Sequence, residues 1–435
     1  MIVQNDIFQI KRSLDLISDK IGLLTYIGEV AHFNSDPKMF AYSAYNCETK
    51  VLSGEFYAGK SGGCGFTWNQ AILSAIGEGV ERYCPTFYNI DKLKKASYAE
   101  LVKQGEKAIS PDKFSLFHNE QYKTEKFQYK PFTEDLVIYW DKVIDMFTHG
   151  EVYCPASFVY MPFSVDVNHI SEQISTGYAA HSDIYKAFLN GIFEVIERDA
   201  FMITWMNLLD IPKISISGRL KTFVDKVVPS HMRLHLFDMT TDIKVPSVMG
   251  ILVGKQEFGD FVAFSAATRM TYTDAINKTI LELCQSVPYY RYLLYENEKK
   301  EYNEFEELKS FEDHSIFYTK HPEYCHCFKK WIDQDASKVI DYQEEKPWSD
   351  IDAIKNILQQ FKYLNLNVYA KEVTTSDVLD ANFKVLRVIC PQLIPLNGSF
   401  GKYYLGGERL YSTPVKMGFK RSTYDSLNRM PHPFP

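Results

Sequence analysis

The chain contains no apolar run near the ~20 residues that a membrane-spanning helix requires. Its opening, Met1-Ile2-Val3-Gln4-Asn5-Asp6, lacks a signal-peptide pattern. No membrane association is expected, and the cytoplasm is the default location. Cysteine is sparse, 8 in 435 residues, with no C-x-x-C pair. A disulfide framework is therefore not expected. Cys325-His326-Cys327 has metal-ligand chemistry, but no second pair stands at zinc spacing, so these read as ordinary thiols. Basic charge is also in deficit: 48 Lys and Arg against 55 Asp and Glu leave a net charge of −7. A nucleic-acid binder needs a basic surface, so no nucleic-acid partner is expected.

Hydrophobic residues make up 46% of the chain, enough for globular packing. The length exceeds what one small core needs, so subdomains are expected. Four regions are expected: an N-terminal part (1–60), a central core (61–295), an insertion with the C-terminal part of the domain (296–410), and a tail (411–435). Residues 51–68 read as a Gly-rich loop. Leu136–Trp140, Val152–Tyr160, Val245–Val253, Phe261–Ser265, Val368–Val373 and Val385–Ile389 read as strands, and 351–363 as an amphipathic helix. The polar stretch 296–350 reads as a solvated, mobile insertion. Helices and strands are mixed, which gives an α+β fold class.

The most informative feature is a repeat. Ala71–Arg82 aligns without a gap onto Ala187–Arg198, and a third copy runs from Ala275 to Ser286. Ser74, Glu78, Glu81 and Arg82 stand at i, i+4, i+7 and i+8, within one arc of a helix. Asn190, Glu194, Glu197 and Arg198 repeat that arc, and Glu282 and Gln285 keep the register in the third copy. Thr67 with Gln70, and Thr271 with Asp274, mark helix starts. If the three helices line one cleft, five carboxylates would repel strongly in a low dielectric. Arg82 and Arg198 offset part of that charge. Mg²⁺, a hard cation that shares its oxygen ligands with phosphates, would offset the rest. Solvated helix faces, or helices joined by salt bridges alone, are the bland alternatives.

Gly54-Glu55-Phe56-Tyr57-Ala58-Gly59-Lys60-Ser61 matches the P-loop pattern. Its lead-in is a poor buried strand, and the glycines after Ser61 disfavour a helix start. An ordinary loop is the better reading.

Ser74-x-x-x-Glu78-x-x-Glu81-Arg82, Glu194-x-x-x-Arg198 and Glu282-x-x-Gln285 together resemble the three nucleotide-binding motifs of the YcaO-domain family. The ending Pro431-x-Pro433-x-Pro435 resembles the terminal motif of its azoline-forming cyclodehydratases. The resemblance implies ATP and Mg²⁺ as cofactors. It implies that Glu78, Glu81, Glu194, Glu197 and Glu282 hold metal, and that Ser74, Arg82, Asn190, Arg198 and Gln285 contact nucleotide. It further implies conversion of Cys, Ser or Thr in a precursor peptide to thiazoline or oxazoline. Where many members have Gly-Lys-Gly, this chain has Gly63-Cys64-Gly65, so that lysine contact is missing. Lys11 and Lys20 are candidate N-terminal contacts.

With nearly the whole length used by this region, a separate leader-peptide-binding subunit resembling ubiquitin-activating enzymes is expected as partner. A flavin-dependent dehydrogenase is an optional further partner, and a homo-oligomer is expected. The tail is expected to order the pocket, with Pro435 near the substrate and His432 as the first candidate for general base. A thioamide- or amidine-forming enzyme and a nucleotide-binding scaffold are the alternative readings.

Overall fold

The structure, a computed structural model, describes residues 2–125, 127–340 and 345–434. Its principal helices are α1 (Ile2–Ser13), α2 (Trp68–Tyr83), α3 (Ile184–Asn207), α4 (Tyr272–Glu296), α5 (Phe311–Lys320), α6 (Asp350–Tyr363) and α7 (Arg409–Lys416). Among the described residues fourteen strands form three sheets. The first is β1 (Leu24–Glu29), β2 (Phe40–Asn46) and β3 (Lys60–Gly65), in that order. A five-stranded sheet runs β11 (Gly259–Thr268), β10 (Ser247–Gln256), β9 (Arg233–Asp238), β8 (Lys213–Ile216), β12 (Ala336–Ile340). A six-stranded sheet runs β4 (Lys94–Ala96), β5 (Ile138–Asp145), β13 (Tyr369–Glu372), β14 (Lys384–Ile389), β7 (Tyr178–His181), with β6 (Glu151–Pro155) also on β5. Pairing is antiparallel except between β8 and β12.

Each sheet ends in the strand that feeds one repeat helix: β3 leads to α2, β7 to α3, β11 to α4. Helix α2 packs between β3 and β7, α3 between β7 and β11, and α4 between β11 and β3. The three strand–helix units thus close a ring. The local sequence sets the phase of all three. Thr67, Asp183 and Thr271 cap the helices by accepting backbone N–H groups of the first turn. Each cap precedes its first glutamate by eleven residues: Thr67 to Glu78, Asp183 to Glu194, Thr271 to Glu282.

The apolar positions of the repeat are the inward ones. Ala71, Ala187 and Ala275 are fully buried, as are Ile76, Ile192 and Ile280. Each isoleucine contributes about 1.5–3 kcal/mol relative to exposure. The α2–β3 contact is closer still: a Cβ on Gly63 would lie 2.0 Å from the Ala75 nitrogen. The glycines of the expected 51–68 loop therefore belong partly to a strand, where they let backbone meet backbone. Lys60 opens that strand rather than a helix, so the P-loop pattern has no P-loop geometry.

Two other expectations are corrected. The expected strand 152–160 stops at Pro155, where a short 3₁₀ turn begins. The stretch 296–350 is not a solvated insertion throughout. In it α5 buries His314, Ile316, Phe317 and Tyr318, and Phe328 and Trp331 are fully buried behind it. Its many charges lie on the outer face and mask an apolar one. In the tail, Leu427, His432 and Phe434 are buried in the core.

Candidate active site

The two arginine-bearing helices build the same fork. In α2, Arg82 stands 3.5 Å from Glu78 and 3.4 Å from Glu81. In α3, Arg198 stands 3.5 Å from both Glu194 and Glu197. In α4 a lysine takes over: Lys278 lies 3.0 Å from Glu282. Lys278 is in register with Ser74 and Asn190, and Ser286 stands where the other helices have arginine.

The carboxylates are held from the strands as well as the helices. Each unit's own strand segment grips the first glutamate. Gly62 N–H donates to Glu78 (2.7 Å), Gly177 N–H to Glu194 (2.9 Å), and the Ser265 hydroxyl to Glu282 (2.7 Å). Gly177 has φ +95°, a conformation that favours glycine and that aims its N–H at Glu194. The next unit's strand grips the second position. Ala180 N–H serves Glu81, Thr268 N–H donates to Glu197 (3.1 Å), and the Gln285 amide lies against Gly62. The ring of elements is therefore also a ring of polar contacts.

Burial grades the site. Glu197 is 9% exposed and Glu81 18%, whereas Glu78 is 35% and Glu282 33%. Desolvation pushes the Glu81 and Glu197 carboxyls well above the usual range, with Glu194 and Glu282 on the neighbouring helices adding repulsion. Glu282 is held below that range despite burial, by Lys278 and the Ser265 hydroxyl. Lys278 is raised, first by Glu282. These cross-helix terms place all three stripes in one electrostatic field.

All ten cofactor-contact residues expected from the repeat lie on these three helices; Ser74 is half-buried and Asn190 exposed, each one turn before its glutamate. The residues missed by sequence reasoning are Lys278, Ser265 and the N–H donors Gly62, Gly177, Ala180 and Thr268. Lys278 alone had a sequence signal, its register with Ser74 and Asn190. The position of the absent motif lysine, Cys64, is buried and lies in the field of Lys278, its thiol pushed up to about 12 by burial. Among the described residues no three Asp, Glu, His or Cys side chains gather into a ready metal cage. Each of the five carboxylates meets a cation, an N–H or a hydroxyl of the protein. The donor set still fits a magnesium–nucleotide ligand. Its oxygens are hard donors, and Nη1 of both Arg82 and Arg198 is buried with no hydrogen-bond partner.

The tail reaches this site from below. Phe434 lies under Arg198, with the guanidinium carbon 4.0 Å from the ring centroid. His432, expected as the first candidate for general base, lies in the core. It is fully buried, Nε2–H donates to the Asn397 carbonyl (2.7 Å), and Nδ1 accepts from Phe434 N–H (3.3 Å). Both nitrogens are committed, and burial holds the ring neutral. Pro435 lies outside the described residues. Cys325 and Cys327 are half-buried thiols, pushed up by burial to about 11 and about 12.

Residues 62–394 match the family described as YcaO cyclodehydratase, ATP- and Mg²⁺-binding. The chain belongs to the YcaO family. The fold agrees with solved YcaO structures. A heterocyclase in complex with substrate and cofactor aligns at TM-score 0.76 and 22% identity, over 99% of this chain and 57% of that one. YcaO from Methanopyrus kandleri, bound with AMPPCP and Mg²⁺, aligns at TM-score 0.62 and 15% identity, over 91% of each chain. The E. coli microcin synthetase McbBCD complex with pro-MccB17 bound aligns at 0.57 and 14%, over 86% of this chain and 91% of that one. In sequence, an uncharacterized protein in the tfuA 3' region of Rhizobium leguminosarum bv. trifolii is 27% identical over 121 residues, 26% of this chain and 29% of that protein. This YcaO chain therefore spans little more than half of the first heterocyclase and under a third of the Rhizobium protein. Among its described residues no helix is long and apolar enough to cross a membrane.

Proposed function

We propose that this YcaO protein is an ATP- and Mg²⁺-dependent peptide cyclodehydratase subunit. The observation that carries the reading is the pair of matching forks, Arg82 with Glu78 and Glu81, and Arg198 with Glu194 and Glu197, facing Glu282 and Lys278. Two buried guanidinium nitrogens that make no hydrogen bond, only loose ion pairs at 3.4 and 3.5 Å, suit phosphate oxygens. In this reading Glu78, Glu81, Glu194, Glu197 and Glu282 hold Mg²⁺. Ser74, Arg82, Asn190, Arg198, Gln285 and Lys278 contact the nucleotide. Mg²⁺, when bound, neutralises phosphate charge.

The peptide chemistry follows from a poor leaving group. A Cys, Ser or Thr side chain of the precursor adds to the preceding amide carbon, and the carbonyl oxygen becomes an alkoxide. That oxygen takes the γ-phosphoryl group of ATP, releasing ADP. The adjacent amide nitrogen loses its proton as phosphate departs, leaving the C=N bond of the azoline. Arg82, Arg198 and Lys278 steady the triphosphate in line for the transfer. The tail completes the pocket, with Phe434 at the Arg198 corner. A separate leader-binding subunit delivers the precursor, a dehydrogenase acts afterwards on the ring, and the assembly contains more than one copy of this chain.

The test is to mix the purified chain, ATP, Mg²⁺ and a Cys/Ser/Thr-rich peptide, with and without the partner subunit, and to weigh the product. Loss of one water per ring supports the reading. A mass gain from sulfide exchange would replace it with thioamide formation. Removal of residues 431–435 with heterocyclisation and ATP use unchanged would refute the role of the tail.

A further inference from the structure

We infer that Phe434 is the positioning residue for Arg198, and that the His314–His432 pair is the clamp that keeps Phe434 in place. The inference rests on the nucleotide reading above and assigns work to the residues between the tail prolines.

Arg198 has weak lateral support. Its two carboxylate neighbours stand at 3.5 Å, and Nη1 makes no hydrogen bond. The Phe434 ring face lies against it, 4.0 Å from the guanidinium carbon. A flat cation on a flat π-face fixes the plane of the fork. Among the described residues Arg82, its counterpart, has no aromatic ring beneath it. The two forks are alike in sequence and differ in support.

Phe434 is 3% exposed and packs on Phe201 of the same helix, with ring centroids 4.8 Å apart. The chain behind it is pinned at successive residues. The His314 and His432 rings stack at 3.9 Å and 5°, and His314 Nδ1–H donates to the His432 carbonyl (2.9 Å). Tyr318 donates to the Pro431 carbonyl, and Tyr403 and Trp205 donate to that of Met430. Helix α3 is pinned independently: Asp199, next to Arg198, is fully buried and paired with Arg409 (2.6 Å). With the helix and the tail both fixed, the ring and the guanidinium meet as preformed parts.

The experiment compares Phe434→Leu, which keeps apolar bulk and removes the π-face, with Leu427→Ala, which loosens tail packing elsewhere. Binding of Mg–ATP is read by calorimetry, KM for ATP and kcat by turnover, and folding by melting temperature. Phe434→Leu should weaken Mg–ATP binding by about tenfold, the scale of a desolvated cation–π contact. Leu427→Ala should melt lower and bind as the parent does. In an Arg198→Gln background, Phe434→Leu should add less than about twofold, since the residue it positions is gone. Parent-like binding by Phe434→Leu, in a parent chain that does bind Mg–ATP, overturns this inference alone. Equal weakening by Leu427→Ala also overturns it, since the effect would then be general tail packing. A parent chain that takes up no Mg–ATP overturns the nucleotide reading and this inference with it.

Discussion

Helices α2 and α3 each carry a guanidinium between two glutamates, whereas α4 carries an ammonium before one glutamate and an amide after it. The difference lies where the ring closes. Glu81 and Glu197 each accept a backbone N–H from the following strand. Gln285 meets the following strand at Gly62, whose N–H is already given to Glu78. A third glutamate there would have no donor to accept from and would face Glu78. The third corner is therefore neutral where the others are anionic. Five carboxylates share three cations, Arg82, Arg198 and Lys278, and the remaining negative charge suits a metal.

The sharpest way to break the likeness of the first two corners is to neutralise each alone. Glu78→Gln and Glu194→Gln should each lower ATP turnover by about 10²–10³-fold, the scale of losing a preorganised electrostatic contact. Chelating Mg²⁺ should abolish turnover, and adding it back should restore it. A large effect at one glutamate and none at the other, measured by phosphate release, would end the claim of equivalence.

The third corner can be forced to resemble the others. Gln285→Glu adds a sixth carboxylate without a donor, and Mg–ATP affinity should fall by about tenfold by charge repulsion. Unchanged affinity in a titration would mean that the amide carries no such role. Lys278→Gln leaves Glu282 without its cation and should cost about 1 kcal/mol, since the pair is one-third exposed. Lys278→Arg should melt as the parent does; a drop equal to that of Lys278→Gln would show that charge is not what matters there.

The smallest effect concerns the tail, which supports only the α3 corner. Burial lowers the His314 ring to about 4, against an ordinary value near 6.5. Asp313 favours its charged form, while Arg198 and His314 itself disfavour a charge on His432. The folded state binds fewer protons than the unfolded one between about 4 and 6.5, so stability rises with pH across that window. It is fully present above 6.5 and is lost as the pH falls towards 4. Melting curves at pH 7 and pH 5 should show the loss, and His314→Phe should reduce it; an equal loss in that variant would remove His314 from the account.

The helices of the site were legible because their caps, apolar positions and charged stripe all agree at one period. The fold class was legible from the mixture of helices and strands. The backbone contacts were not, because Gly62, Gly177, Ala180 and Thr268 act through the backbone N–H that nearly every residue owns. Lys278 was visible in register, but it breaks the repeat and so was passed over. Helix α5 was hidden by averaging, since the charges of the surrounding stretch 296–350 outnumber Ile316, Phe317 and Tyr318. His432 has the chemistry of a base in the sequence; only its two committed nitrogens reveal an anchor.

Closing the ring brings the strand of the earliest repeat against the helix of the latest, so its final joint is among the least local in the chain. Joints of that kind form slowly, because long loops must first give up their freedom. Competence to handle nucleotide should therefore arrive at the end of folding. A newly made chain that stalls earlier would hold scattered acids and no site.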